Sequence, residues 1–101
     1  MEMRVLRYFV ATVDEGSETA AAERLHVTQP VLSRQLRAWE RRMGLTLFER
    51  RGRRLHLTNS GQILLPLARK ALQGAEAVEQ SARRLAGGAM TELQLKAPTT
   101  T

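Results

Sequence analysis

Eight arginines stand between positions 34 and 54 (Arg34, Arg37, Arg41, Arg42, Arg50, Arg51, Arg53 and Arg54), with only Glu40 and Glu49 as acids among them. That window carries +6, the formal charge of the whole 101-residue chain, so the residues outside it cancel. A guanidinium is a planar fork of donors that matches phosphate oxygens and the O6/N7 edge of guanine. The chemistry on offer is recognition of a polyanion. Bond-making chemistry is not expected: Ser33 has no motif-placed histidine base, and no glycine-rich phosphate loop occurs. Two histidines thirty positions apart, His26 and His56, make a poor metal pair in a chain with no cysteine. Neither an enzyme nor a metal protein is predicted, and no cofactor is expected within this chain.

The arginines fall into two sets because the elements that hold them differ. From Thr28, a hydroxyl able to cap a helix, Leu32, Leu36, Trp39 and Met43 recur within an arc of about 60° at helical pitch. Pro30, Ser33, Arg34, Arg37 and Arg41 occupy a separate arc of about 100°. One face is core and the other is hydroxyl, proline and arginine; Gly44 ends the helix. The second set, Arg50, Arg51, Arg53 and Arg54, surrounds Gly52. There the apolar period shortens to two, through Leu45, Leu47, Leu55 and Leu57, which predicts a β-hairpin tipped with four arginines.

Two helices precede this pair. Met3, Leu6, Phe9, Val10 and Val13 form an amphipathic stripe over residues 2 to 15, ended by Gly16. Ser17 then caps a short helix in which Glu18 suits the positive end of the helix dipole while Ala21, Ala22 and Leu25 face inward. Small residues allow the next helix to approach closely, and His26 and Val27 make the turn into it.

Thr58 caps a fourth helix that can run to Ala86, with Pro66 as a point of kinking. Leu64, Ala68, Ala71, Ala75, Val78, Ala82 and Leu85 repeat at spacings of 4, 3, 4, 3, 4 and 3, which is a heptad seam. An alanine-rich seam buries little area per residue, so its expected partner is a second copy of the helix. Gly87 and Gly88 read as a hinge, and Leu93, Leu95 and Ala97 as the start of a strand with no sheet here to join. On that unpartnered strand the chain is expected to be a fragment of a longer protein, and with no apolar run of the ~18 residues that span a bilayer and no signal-peptide pattern it is expected to be soluble and unexported.

The predicted fold is therefore mainly α with a small β-hairpin: a winged helix-turn-helix over residues 1–58, a dimerisation helix over 59–87, and over 88–101 a hinge and the start of a missing C-terminal domain. In that layout Thr28, Gln29, Pro30, Val31, Ser33 and Arg34 are candidate base readers in a major groove. Ser17, Arg37 and Arg41 are candidates for the backbone, Arg50, Arg51 and Arg54 for the backbone or for pairing within the protein, and Arg53 for an adjacent minor groove. Two other readings share the charge: a docking module whose basic face binds an acidic protein, and an architectural nucleic-acid binder without sequence preference. Neither requires the mixed polar and apolar face of the third helix.

The segments Leu6-Arg7-Tyr8-Phe9-Val10-Ala11, Ala21-Ala22-Glu23-Arg24-Leu25-His26-Val27-Thr28-Gln29-Pro30, Leu32-Ser33-Arg34-Gln35 and Leu47-Phe48-Glu49-Arg50, with Gly16-Ser17, Gly44, Leu57-Thr58 and Gly61, resemble LysR-type transcriptional regulators over residues 2 to 88. The resemblance implies a bacterial regulator that binds double-stranded DNA at an interrupted palindrome, as a homodimer through its linker helix. It implies a C-terminal domain that binds a small-molecule effector, a full-length tetramer, RNA polymerase as a further partner, a cytoplasmic location and no membrane. It matches Gln29, Pro30, Ser33 and Arg34 to base-contacting positions and Arg53 to a minor-groove wing residue. The sequence departs from the family pattern at Glu18, where an aromatic or aliphatic residue is usual, and at Val31 and Trp39.

Overall fold

The computed structural model describes residues 2 to 87. It arranges them as α1 (Met3–Glu15), α2 (Glu18–Leu25), α3 (Gln29–Met43), β1 (Phe48–Arg51), β2 (Arg54–Leu57) and α4 (Asn59–Ala86). The class is the expected one: helices, one antiparallel hairpin, and a long final helix. Three of the four helices start at a side-chain hydroxyl. Ser17 Oγ accepts from the Ala20 amide at 3.0 Å, Thr28 Oγ1 from Val31 at 3.4 Å, and Thr58 Oγ1 from Gly61 at 3.0 Å. Each cap satisfies a donor that the first turn would otherwise leave open, worth about 1 kcal/mol. At the other end of α2, His26 adopts the left-handed conformation (φ 60°) usually left to glycine, and so completes the turn into α3.

The core lies where α1, α2 and α3 meet. Phe9 is its centre, packed edge-to-face on Trp39 and on Phe48 with ring centroids 5.7 Å apart in both pairs. Leu32, Leu36 and Leu47 are fully buried around it, and Ala21 and Ala22 bring α2 close. Met43, expected on the same face as Trp39, is half-buried at the edge.

The hairpin is shorter than the alternation from Leu45 predicts. Pairing begins only at Phe48↔Leu57, and Leu47 and Phe48 are consecutive and both buried. The approach to the strand is held otherwise: the Leu47 amide donates to Glu40 Oε2 at 2.7 Å, and its carbonyl accepts from the Thr58 amide at 2.9 Å. With its backbone fixed from both sides, Leu47 drops into the core before the strand period starts, while Leu45 stays exposed.

Gly61, on the first turn of α4, is buried against this approach. A Cβ there would lie 2.6 Å from the Leu47 carbonyl oxygen and from Leu57 Cδ2. α4 continues as one helix through Pro66 and is fastened to α1 by an ion pair, Arg69 Nη2 to Asp14 Oδ1, at 2.8 Å. Gly88 and the predicted strand at Leu93, Leu95 and Ala97 lie outside the described residues. Among the described residues no helix is long and apolar enough to cross a membrane.

Candidate nucleic-acid interface

The first turns of α3 expose Thr28, Pro30, Val31 and Arg34, with Gln29 and Ser33 half-buried behind them. Their positions follow from the Thr28 cap and from Pro30, which is tolerated in a first turn where no amide is needed. Among the described residues Arg34 and Arg41 make no ion pair and are exposed, so their guanidiniums are available to an outside anion.

Gln29, Ser33 and Arg37 converge instead on one carboxylate. Glu18, at the start of α2, is 5% exposed. Its Oε2 accepts from Arg37 Nη2, and its Oε1 accepts from the Ser33 hydroxyl and from Gln29 Nε2 at 3.4 Å. Gln29 Nε2 also donates to Ser33 Oγ. Burial pushes the Glu18 carboxyl pKa up, but the hydrogen bonds from Ser33, Arg37 and Gln29 and the Arg37 charge outweigh it, leaving the pKa below the ordinary value. Arg37 reaches a second acid as well, with Nη1 3.6 Å from Glu40 Oε1. Arg37, expected to serve an outside phosphate, is held within the protein as a strut between α2 and α3, paired with Glu18 and Glu40. Sequence reasoning missed this hub because a first-turn glutamate usually faces water; the one signal was that Glu18 departs from the family pattern.

The wing separates its arginines by strand parity. Register pairs Arg50 with Leu55 and Arg51 with Arg54, leaving Gly52 and Arg53 as the two-residue loop. Gly52 has φ 63° while Arg53 does not share the positive φ, the pattern of a turn with glycine at its first central position. Arg50 and Arg53, with Leu55, border a recess of about 100 Å³ whose other walls are Gly16, Ser17, Glu18, Thr19 and Gln29. The wing, the α2 N-terminus and the start of α3 thus meet at one place. Arg51 and Arg54, facing each other across the hairpin, would repel. Arg51 leans onto Glu49 at 3.4 Å, and Arg54 is exposed.

On α4 the predicted seam divides. Ala68 is 4% exposed and lies in its own domain's core, with Leu64 and Ala71 half-buried beside it. Ala75 is also half-buried, and Ala82 is exposed. Val78 and Leu85 are 68% and 59% exposed, as are Ile63 (67%) and Leu67 (58%), which the seam did not include. At about 100° per residue, Ile63, Leu67, Val78 and Leu85 fall on one stripe rotated by about 60° from Leu64. The reason is that α1 and the wing take the Leu64–Ala68 side of the first turns, displacing the free apolar face. The stripe starts at an apolar cleft of about 300 Å³ between α1, Trp39 and α4.

Residues 3–62 match the sequence model of the bacterial regulatory helix-turn-helix proteins of the lysR family. The chain is 42% identical over 95 residues to the HTH-type transcriptional regulator ClcR of Pseudomonas putida, covering 94% of this chain and 32% of that protein. It is 48% identical over 82 residues to TfdS of Cupriavidus pinatubonensis, covering 80% of this chain and 28% of that one. It thus spans about a third of the length of such relatives. Among solved structures, the BenM DNA-binding domain bound to catB site 1 DNA superposes with TM-score 0.81 at 40% identity, covering 88% of this chain and 96% of that one. The DNA-binding domain of CbnR in complex with DNA gives 0.76 at 42% identity, covering 85% and 99%. On the match from Met3 through the first turn of α4, and on relatives that share its sequence along nearly its whole length, this chain belongs to the LysR family of bacterial helix-turn-helix regulators.

Proposed function

We propose that this chain is the DNA-reading end of a bacterial transcription regulator and binds a particular double-stranded sequence as a homodimer. The observation that carries this reading is the junction of two unlike surfaces: the exposed Pro30, Val31 and Arg34 of α3 stand beside an arginine-tipped hairpin, with the α2 N-terminus between them. Thr28, Gln29, Pro30, Val31, Ser33 and Arg34 read base edges in a major groove. Arg53 enters the neighbouring minor groove, and Ser17, Arg41, Arg50, Arg51 and Arg54 hold the phosphates. Solved relatives at 40–42% identity, described as complexes with DNA, support this.

Residues 1–58 form the reading unit and 59–87 the arm that joins two copies. Ile63, Leu67, Val78 and Leu85 leave an apolar stripe on α4 that a second copy covers, and its continuity with the cleft beside Trp39 favours the same helix from a partner. The longer protein, acting in the cytoplasm as a tetramer, carries its small-molecule effector site beyond this chain and meets RNA polymerase at its promoter; no catalytic step is assigned to it. Selecting duplexes from a random pool and titrating salt tests the reading. A selected duplex binds at least ~10³-fold more tightly than random DNA, and log affinity falls against log salt with a slope near −0.9 per neutralised phosphate. Equal affinity for selected and random duplexes would return the chain to the architectural class.

A further inference from the structure

We infer that Glu18, a residue that touches no base, decides which bases Gln29 accepts, an inference that rests on the DNA-reading function proposed above. A glutamine amide can donate through Nε2 and accept through Oε1, and a free one uses both on adenine. Here the choice is already made. Glu18 is buried and ionised, hence an acceptor only, and Arg37 holds its other oxygen in place. The Gln29 amide nitrogen must therefore face inward, where it donates to Glu18 and Ser33. Ser33 is committed as well: its hydrogen goes to Glu18 and a lone pair to Gln29.

What the Gln29 amide has left for a ligand is Oε1. Among the described residues no group donates to it, and it is not among the buried atoms that lack a partner, so it meets solvent. A lone acceptor at that point of the reading face takes a base that offers an amino hydrogen in the major groove, adenine N6 or cytosine N4, and disfavours guanine and thymine, which show it only acceptors. Glu18 is thus a positioning residue for specificity: through Gln29 it converts an adenine reader into a reader of amino-bearing bases.

The test is selection from a random duplex pool by the intact protein and by variants, each checked for its thermal unfolding. The protein as it stands enriches A or C about three- to tenfold at one position of each half-site, the range one hydrogen bond supports, and Gln29→Ala erases that preference. In Glu18→Gln the new amide turns its oxygen to Arg37, which can only donate, and its NH2 to Ser33. Ser33 then gives its hydrogen to Gln29 Oε1, and Gln29 presents Nε2 outward, so the same position gives up C, which shows no acceptor in the major groove, and shifts toward G or T. Should Glu18→Gln not fold, Glu18→Leu replaces it; that change frees both ends of the Gln29 amide and narrows the position to A. If the preference at the Gln29-dependent position, including its acceptance of C, is the same with and without the Glu18 carboxylate, or is G or T in the unaltered protein, the inference is overturned. If the unaltered protein enriches no sequence, it is the DNA-reading function itself that fails.

Discussion

Arginines with the same charge sit in different chemical situations along α3, and their substitutions separate accordingly. Arg34 is exposed, unpaired among the described residues, and less than two turns from the Thr28 cap. Arg34→Ala costs about 1–3 kcal/mol of binding and relaxes one base position, whereas Arg41→Ala, two turns farther along, weakens every duplex alike. Affinities on selected and scrambled duplexes check this; identical behaviour of the two variants would dissolve the division of the helix. Arg37 follows a different rule, because its guanidinium lies between Glu18 and Glu40. Arg37→Ala lowers folding stability by roughly 1–2 kcal/mol, discounted for the exposed part of the guanidinium, because it strips a buried carboxylate of its partner. Denaturant unfolding reads that loss directly. The same hub sets a pH dependence. The Glu18 pKa lies below its ordinary value of 4.5, so the unfolded chain takes up the proton first as pH falls. The stabilisation is whole above about pH 4.5 and disappears as pH falls through the folded value. Asp14 behaves likewise below its ordinary 3.8, held down first by the Arg69 hydrogen bond, which with the Arg69 and Arg24 charges outweighs the opposing cost of burial. A midpoint temperature measured from pH 7 down to pH 3 therefore drops steeply below about 4.5, and Glu18→Gln flattens the upper part of that drop. An equally steep drop in the variant would mean that Glu18 is not the group responsible.

At the scale of elements, stability turns on how the wing and α4 meet the three-helix core. Thr58 does three things there: it caps α4, donates its hydroxyl to the Thr46 carbonyl, and ties its amide to Leu47. Gly61 follows on the same turn, where a methyl would strike the Leu47 carbonyl at 2.6 Å. A backbone oxygen bonded to Thr58 cannot swing aside, so Gly61→Ala destabilises by about 1–3 kcal/mol even though alanine is the better helix former. Urea unfolding of that variant decides the point, and a neutral or stabilising result would show that α4 can lift off the wing at no cost. The caps at Ser17, Thr28 and Thr58 and the core face of α3 were legible in the sequence because each depends on residues within one helical turn. The start of β1 was not legible, because Glu40 and Thr58, from opposite sides of the wing, fix Leu47 ahead of the alternation. Nor was the inward turn of Glu18, whose partners lie eleven, fifteen and nineteen positions away on another helix. The heptad register of α4 was legible as a period but not as a direction, since which side of a helix is already covered is a property of its neighbours.

The described residues form a basic head on a long arm, 57 Å in its greatest extent, and the proposed second copy is what the arm would pack against. Twenty-eight residues of helix are more than a three-helix core can cover. Ala68 marks the place where coverage by the home domain is complete, and Val78 and Leu85 lie where it has ended. A lone helix with an apolar stripe in water is marginal, and in the proposed homodimer the second half of α4 gains its stability from the other copy. Joining two heads in this way also changes binding, because the second half-site is engaged at the high effective concentration set by the arm. Val78→Glu is the discriminating change: Val78 is 68% exposed in the protomer, so a charge there leaves the fold intact while two facing copies bury and oppose like charges. The sedimentation mass falls to that of one protomer, the thermal unfolding of the head is unchanged, and affinity for a two-half-site duplex drops about 10²-fold or more toward that for a single half-site. A charge introduced at Ala75, half-buried nearer the home domain, acts in the same direction with some loss of protomer stability. An unchanged mass in Val78→Glu would mean that two copies meet elsewhere. In that case the cleft between α1, Trp39 and α4, with Met3 and Leu67 at its rim, becomes the surface to charge next, by Leu67→Glu.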